Sequence, residues 1–251
     1  MIYVTGDCHS NFQRFNTRNF PEQKNMTKKD YVLICGDFGS VWNKGDESKE
    51  EKSILDWLNT KPFTTLFVDG NHENFDRLYE YPVEKWQGGT IHRVRPSIFH
   101  LMRGQVLDID GRKIFTFGGA ASHDIDGGIL EPDDSNYRQK KKELDREGIL
   151  YRINHITWWA QELPSEEEMK EGIRNLAKHD YNVDFVVTHC CPSDILAAIG
   201  DGTYQPDYLT DYLAEIKQRI SYKKWFFGHY HDNKNVSEKE ILLYEQVIRI
   251  L

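Results

Sequence analysis

Carboxylate, imidazole and amide side chains recur in five short clusters along this sequence, and side chains of these types bind metal ions in proteins. The clusters, in chain order, are Gly6-Asp7-Cys8-His9, Gly36-Asp37, Gly70-Asn71-His72-Glu73, His189 and Gly228-His229-Tyr230-His231. Oxygen ligands alone would suit Mg²⁺ or Ca²⁺, whereas a set that also offers imidazole nitrogen suits transition-metal dications. The clusters therefore predict a site for ions such as Mn, Fe or Zn.

Each cluster closely follows a short apolar run. These runs span residues 2–4, 31–34, 65–68, 185–188 and 225–227, and a sixth run spans 114–117. Consecutive apolar positions rich in β-branched and aromatic residues are typical of strands that are buried on both faces. In open α/β sheets the carboxyl ends of such strands converge on one crevice. We therefore predict that five strands bring the clusters together, with glycines allowing the chain to turn sharply beside a bound ion.

Helical patterns separate several of the runs. Apolar residues recur at helical spacing over residues 209–220, and Ser165 with Glu168 forms a capping box ahead of a second apolar pattern. A further helix is predicted around residues 54–58. The pair Asp110-Gly111 is a hairpin turn signal and predicts antiparallel strands on either side of it.

The chain has 251 residues, of which 39% are hydrophobic and 29% charged, and this composition fits one large domain over residues 1–251. Its least regular part spans residues 120–180, where Gly127-Gly128, Pro132 and Pro164 interrupt any single period. We expect this part to be a cap-like excursion beside the predicted site; the alternative is inert surface. A basic cluster at residues 138–142 is expected to be the solvated face of a helix.

The charge balance bears on possible partners. A net charge of −8 argues against a broad surface for a long polyanion, so we do not expect a long nucleic acid as partner, whereas a small anionic substrate, such as a phosphorylated one, is compatible with this charge. The sequence predicts no membrane-spanning segment, no signal peptide after Met1 and no particular oligomeric state. The four cysteines lack disulfide or C-x-x-C spacing, and a cytoplasmic location is predicted.

Taken together and in this order, the five clusters resemble the calcineurin-like metallophosphoesterase superfamily. Its blocks are D-x-H, G-D, G-N-H-E/D, a lone H and G-H-x-H, and all five occur here between Asp7 and His231. Each block alone is a weak signal, whereas the ordered set is specific because it also requires its strand context. The resemblance implies an α/β fold, a four-layer αββα sandwich of two mixed β-sheets flanked by helices.

The resemblance also implies a role for each residue of the site. Asp7, His9 and His231 are expected to bind a first metal ion, Asn71, His189 and His229 a second ion, and Asp37 to bridge both. His72 is the expected catalytic histidine, which faces the substrate, and either Glu73 or Asp69 is expected to orient it. Because two such ions depress the pKa of water, the implied reaction is attack of a metal-bridging hydroxide on a phosphate mono- or diester. His72 would donate a proton to the leaving alcohol.

One departure from the resemblance narrows the expected activity. Protein serine/threonine phosphatases extend the second block to G-D-x-V-D-R-G, but here Asp37 is followed by Phe38-Gly39-Ser40-Val41-Trp42, without the arginine that grips phosphate. A protein phosphatase of that type is therefore not expected. The alternatives to a small-molecule phosphoesterase are a nuclease of the same superfamily and a non-catalytic partner-binding domain on this fold.

The remaining histidines match no block. His123 follows the apolar run 114–117 and either lines the substrate site or is structural. The others are expected to be structural, namely His92, His100, His155 and His179.

Overall fold

The computed structural model describes residues 1–200 and 204–251. The strands are β1 Ile2–Thr5, β2 Tyr31–Ile34, β3 Thr64–Phe67, β4 Val83–Trp86, β5 Gly89–Arg95, β6 Ile98–Leu101, β7 Gln105–Ile109, β8 Arg112–Phe117, β9 Ile129–Leu130, β10 Arg152–Ile153, β11 Phe185–Thr188, β12 Lys224–Phe227, β13 Lys234–Asn235, β14 Glu240–Leu242 and β15 Val247–Arg249. The α-helices are α1 Lys49–Asn59, α2 Phe75–Leu78, α3 Tyr137–Glu147, α4 Glu166–Lys178, α5 Ser193–Ile199 and α6 Tyr208–Arg219. Short 3-10 helices span Gln13–Phe15, Pro21–Asn25 and Ala160–Glu162.

Most strands form two large mixed sheets. The first has seven strands in the order β15-β1-β2-β3-β6-β5-β4, with a parallel centre from β1 to β6 and antiparallel strands at both edges. The second has six strands in the order β13-β14-β12-β11-β8-β7, again with a parallel centre and antiparallel edges. Parallel strands need crossover connections, and these connections carry the helices onto the outer faces.

The two sheets pack face to face, with helices on their outer faces. Val4 and Leu33 of the first sheet are fully buried in one cluster with Ile114 of the second. On the outer face of the first sheet lies α1, which buries Leu55 and Leu58 there, whereas α4, α5 and α6 cover the second. Successive side chains of a strand point to opposite faces, so each central strand packs into two apolar layers. The predicted four-layer αββα sandwich is confirmed.

The predicted strands and helices are present. The six apolar runs form β1, β2, β3, β8, β11 and β12, and the three helical patterns form α1, α4 and α6. The hairpin is confirmed because Asp110 and Gly111 join β7 to β8 with φ values of +51° and +71°, the left-handed pair that a two-residue turn requires. The capping box of Ser165 with Glu168 is formed as predicted.

Residues 120–180 combine an irregular excursion with one helix of the sandwich. The excursion holds α3 and a two-stranded parallel sheet, in which Arg152 of β10 pairs with Ile129 of β9. Every residue of α3 is exposed or half-buried, as expected for its basic cluster. By contrast, α4 buries Leu176 against the six-stranded sheet. Within the described residues, no helix is both long enough and apolar enough to span a membrane.

Candidate metal centre

Five loops that follow parallel strands meet at one end of the sandwich. Three of these loops follow β1, β2 and β3 of the first sheet, and two follow β11 and β12 of the second. Parallel strands direct their carboxyl ends the same way, so the loops deliver their side chains to a common place. The structure brings together there the residues predicted to bind metal, Asp7, His9, Asp37, Asn71, His189, His229 and His231.

A first donor group consists of Asp7, His9, Asp37 and His231, whose donor atoms all lie within 4.8 Å of one another. His9 Nε2 lies 3.0 Å from His231 Nε2, and His231 Nε2 lies 3.2 Å from Asp7 Oδ2. Two nitrogen ligands that bind one ion at about 2.1 Å and at right angles are roughly 3.0 Å apart. The spacing of His9 and His231 therefore fits two ligands of a single ion.

A second donor group consists of Asp37, His189 and His229, whose donor atoms also lie within 4.8 Å of one another. Asp37 thus belongs to both groups. Its Oδ1 lies 3.2 Å from His189 Nε2, and its Oδ2 lies 3.5 Å from His9 Nε2. One carboxylate oxygen faces each group, which is the arrangement that a bridging carboxylate needs.

Asn71 adds a buried amide oxygen to the loop after β3, between Gly70 and His72, whose backbones both lie close to Asp37. Its Nδ2 donates to Ser122 Oγ at 3.3 Å, and Ser122 Oγ donates in turn to Glu162 Oε2 at 2.7 Å. Among the described residues, Asn71 Oδ1 is buried without a hydrogen-bond partner. A buried polar atom without a partner costs about 1–3 kcal/mol. An unpaired acceptor on this loop fits a site that binds a cation.

The carboxylates of the centre favour a positive charge. Burial acts to raise the pKa of Asp37, but the neighbouring His189 outweighs it and holds this pKa well below its usual range. Burial likewise acts to lower the pKa of His189, but the carboxylates of Asp37 and Asp7 raise it to about 10. Without metal, His189 therefore keeps a proton at neutral pH. A metal ion would take the place of that proton, because imidazole binds metals in its neutral form.

The backbone of the centre adopts a rare conformation. His9, Asp37, His229 and His231 have φ values of +44°, +45°, +69° and +48°, in the left-handed region that residues other than glycine seldom adopt. Such conformations cost of order 1–3 kcal/mol each and cluster at functional sites. Close packing adds a further requirement, since a Cβ at Gly70 would overlap Asp37 Oδ1. This backbone conformation lowers the stability of the fold, but it brings the donor atoms together.

His72 lies beside this centre and is held by residues distant in sequence. Its backbone N–H donates to Asp37 Oδ1 at 3.0 Å, and its ring stacks on Trp42 with the centroids 5.5 Å apart. Arg152 Nη2 lies 3.3 Å from His72 Nε2. Burial lowers the pKa of His72, while the charge of Asp37 acts in the opposite direction.

The structure gives other roles to the two acids expected to orient His72, so that expectation is wrong. Glu73 accepts hydrogen bonds from the backbone N–H groups of Phe38 at 2.7 Å and Gly70 at 2.9 Å, and thereby ties two loops of the centre together. Asp69 binds partners in the core instead. Adjacency in sequence misleads here because the ring of His72 contacts Trp42 and Arg152, which are distant in sequence.

Two aromatic residues of the centre were not assigned by the sequence pattern. His123 Nε2 lies 2.7 Å from His229 Nε2, so this histidine does line the centre. The glycine pair before it follows β8, which is the same strand-end signal as in the five blocks. Tyr244 stacks on His231 with centroids 4.7 Å apart, and no local pattern marks it.

A buried network supports the loop that carries Asn71. Asp69 Oδ2 accepts a hydrogen bond from Arg103 Nε at 2.9 Å, and Asp69 Oδ1 lies 2.9 Å from His100 Nε2. His100 Nδ1 lies in turn 2.9 Å from His92 Nδ1. All four of these side chains are buried. The structural role expected for His92 and His100 is therefore confirmed.

His92→Gln is expected to reduce the acid sensitivity of folding. Burial, together with the nearby His100, lowers the pKa of His92 to about 4. A histidine of the unfolded chain takes up a proton near pH 6.5, whereas His92 in the folded protein does so only near pH 4. The proton uptake of His92 therefore leaves the free energy of unfolding unchanged above pH 6.5 and lowers it by up to about 3 kcal/mol towards pH 4. Urea unfolding at pH 7.0, 5.5 and 4.5 measures the effect, with the exposed His155→Gln as control. If His92→Gln loses as much free energy of unfolding between pH 7.0 and 4.5 as wild type does, the lowered pKa of His92 is refuted.

A four-layer αββα sandwich in which two donor groups share one carboxylate has the architecture of a metallophosphoesterase. A family profile described as calcineurin-like phosphoesterase matches residues 1–233, and the chain belongs to this family. Lariat debranching enzyme A of Xenopus laevis is 31% identical over 143 residues, which cover 52% of this chain and 26% of the relative. The lariat debranching enzyme of Homo sapiens is 25% identical over 193 residues, which cover 72% of this chain and 32% of the relative.

Family membership confirms the predicted resemblance and the predicted enzyme class, hydrolases that act on phosphate ester bonds. It also implies divalent metal ions, and the two donor groups fit such ions.

The prediction against a long nucleic acid as partner is wrong, because the relatives are lariat debranching enzymes, whose substrate is a branched nucleic acid. Net charge describes the whole surface, whereas a metal centre attracts phosphate locally. The chain spans about a quarter to a third of the length of these relatives.

Proposed function

We propose that this chain is a phosphodiesterase that uses two divalent transition-metal ions to hydrolyse a phosphodiester in a nucleic acid. The observation that carries this proposal is the carboxylate of Asp37, which belongs to both donor groups. One ion would be held by Asp7, His9 and His231, the other by Asn71, His189 and His229, and both by Asp37. The mixture of imidazole, carboxylate and amide donors favours Mn, Fe or Zn over Mg or Ca.

When bound, such ions lower the pKa of water and offset the charge of a phosphate group. The chain's own residues position the substrate and the proton. Asp37 fixes the loop of His72 by accepting its backbone N–H, and Trp42 restrains the ring by stacking on it. A substrate oxygen beside His72 Nε2 is within reach of a proton from that ring, so we assign His72 to protonation of the leaving alcohol.

Two observations support a nucleic acid as the substrate and a covered site. The relatives that match this chain are named lariat debranching enzymes. The excursion within residues 120–180 reaches His72 through Arg152, so we propose that it acts as a cap over the substrate. The four cysteines are free and buried, which supports the cytoplasmic location that we also propose.

Hydrolysis of two diesters tests this function. Protein stripped with a chelator and reloaded with Mn, Fe or Zn is expected to hydrolyse bis(p-nitrophenyl) phosphate and to cleave a synthetic branched RNA, and renewed chelation is expected to abolish both activities. A linear RNA of the same sequence reveals whether the branch is required. His179→Gln, at the C-terminus of α4, is the control and is expected to match wild type. The proposal fails if neither diester is hydrolysed with any of the three metals.

A further inference from the structure

Arg152 is a buried residue of the excursion whose guanidinium reaches the metal centre. Only 6% of its surface is exposed. Its Nε donates to both carboxylate oxygens of Asp124, at 2.8 and 2.9 Å, and its Nη1 donates to the carbonyl oxygen of Thr157 at 2.7 Å. Its Nη2 lies 3.3 Å from His72 Nε2. The guanidinium is thus fixed by two nitrogens and presents the third to His72.

We propose that Arg152 binds the phosphate group of the substrate beside His72. The inference rests on the proposed function, because it assigns a phosphate-binding residue to that same site. Arg152 Nη2 and His72 Nε2 are 3.3 Å apart, so a single oxygen can lie within about 3.0 Å of both atoms. A phosphate oxygen that approaches His72 therefore also meets Arg152.

The guanidinium of Arg152 binds a phosphate oxygen more strongly than it binds the ring nitrogen of His72. A hydrogen bond from a guanidinium to an anionic phosphate oxygen is charge-assisted and roughly twice as strong as a neutral one. Because Asp124 and Thr157 already hold the side chain, binding a substrate costs little additional conformational entropy. A donor fixed in advance beside the reacting phosphate stabilises the charge that develops there.

The acids near Arg152 leave this charge available. Asp124 binds Nε of the guanidinium and is 42% exposed in its side chain, so solvent screens its charge. Glu162 also lies near Arg152, and burial raises the pKa of Glu162 to about 8. The raised pKa of Glu162 reduces its negative charge at neutral pH and so weakens its opposition to a bound phosphate.

The alternative role for Arg152 is to anchor the excursion through Asp124 and Thr157. Three substitutions separate the roles. Arg152→Met removes the guanidinium and its anchor together, whereas Asp124→Asn keeps the guanidinium and weakens only the anchor. Arg152→Lys keeps the positive charge but loses the planar fork of donors.

Two readouts test the proposal on metal-loaded protein. The first is kcat/KM for bis(p-nitrophenyl) phosphate, which Arg152→Met is expected to lower about 100-fold. The second is the Kd for inorganic phosphate by calorimetry, which the same substitution is expected to weaken about tenfold. Asp124→Asn is expected to lose less than about tenfold in kcat/KM, and Arg152→Lys to fall between Arg152→Met and wild type. Guanidinium ion added to Arg152→Ala is expected to restore part of the activity.

An anchoring role predicts different results. Equal losses in Arg152→Met and Asp124→Asn, with phosphate binding by Arg152→Met within twofold of wild type, would overturn the proposal. Thermal unfolding of each variant shows whether any loss reflects a destabilised fold. Phosphate binding is measured without turnover, so it still tests Arg152 if the wild-type protein hydrolyses neither diester and the proposed function itself fails.

Discussion

Asp37→Asn is expected to lower kcat for diester hydrolysis by more than about 100-fold and to reduce the metal content of the protein. Asparagine keeps the shape of the side chain and an acceptor for the backbone N–H of His72, but it removes the negative charge that both donor groups share. Loss of groups that merely orient metal ligands costs about 10–100-fold, so loss of a shared ligand should cost more. Steady-state kinetics and elemental analysis measure the two effects.

The matched control is Asp108→Asn, since Asp108 is exposed on β7 at the edge of the second sheet. This variant is expected to retain the kcat and the metal content of wild type. An Asp37→Asn protein with wild-type kcat would be incompatible with a shared carboxylate. Reduced kcat with unchanged metal content would mean that Asp37 acts on the substrate or on His72 rather than on the ions.

His72→Ala is expected to slow esters with poor leaving groups far more than esters with good ones. An alkoxide needs a proton as it departs, whereas p-nitrophenolate is stable without one. General acid catalysis contributes about 10²–10⁴-fold, so a dinucleoside phosphate should lose that factor. Hydrolysis of bis(p-nitrophenyl) phosphate should fall less than about tenfold by the same reasoning. The ratio of kcat for the two esters, in wild type and variant, is the measurement.

His179→Ala serves as the control for this experiment and is expected to leave the ratio unchanged. An equal fold-loss on both esters in His72→Ala would rule out a role as acid. Arg152 Nη2 lies close to His72 Nε2, so the substrate has to replace this contact before Nε2 can donate a proton to the leaving group.

The sequence predicts the scaffold of the centre because every signal for it is local. A buried strand such as β2 is apolar at each of its four positions, and the residue that matters, Asp37, follows within three residues. The same rule recovers His189 after β11 and His229 after β12. Parallel topology then brings these residues together without any knowledge of the loops between them.

The sequence does not predict contacts that depend on the path of the excursion. Arg152 and Trp42 lie 110 positions apart, yet both contact the ring of His72. Arg152 follows no strand that ends at the centre, and Trp42 lies well beyond the end of β2 in the loop that carries Asp37, so no spacing rule marks either residue. The capping box of Ser48 with Glu51 at the start of α1 is different, because these two residues have the required S-x-x-E spacing in the sequence. A local pattern therefore marks the start of this helix, although the helix was predicted only from its apolar residues.

The expectation about partners fails for a related reason. Net charge is a sum over 251 residues, and the value of −8 says little about the field within a few ångströms of paired carboxylates and bound cations. An estimate of the charge of the donor groups and their ions alone would not have argued against a nucleic acid as substrate.

The most direct test of a shared carboxylate is anomalous X-ray diffraction from a crystal of the metal-loaded protein. We expect two anomalous peaks about 3.5–4 Å apart, one beside each carboxylate oxygen of Asp37. The first peak should contact His9 and His231, and the second should contact His189 and His229. A single peak, or ions bound away from Asp37, would contradict the account.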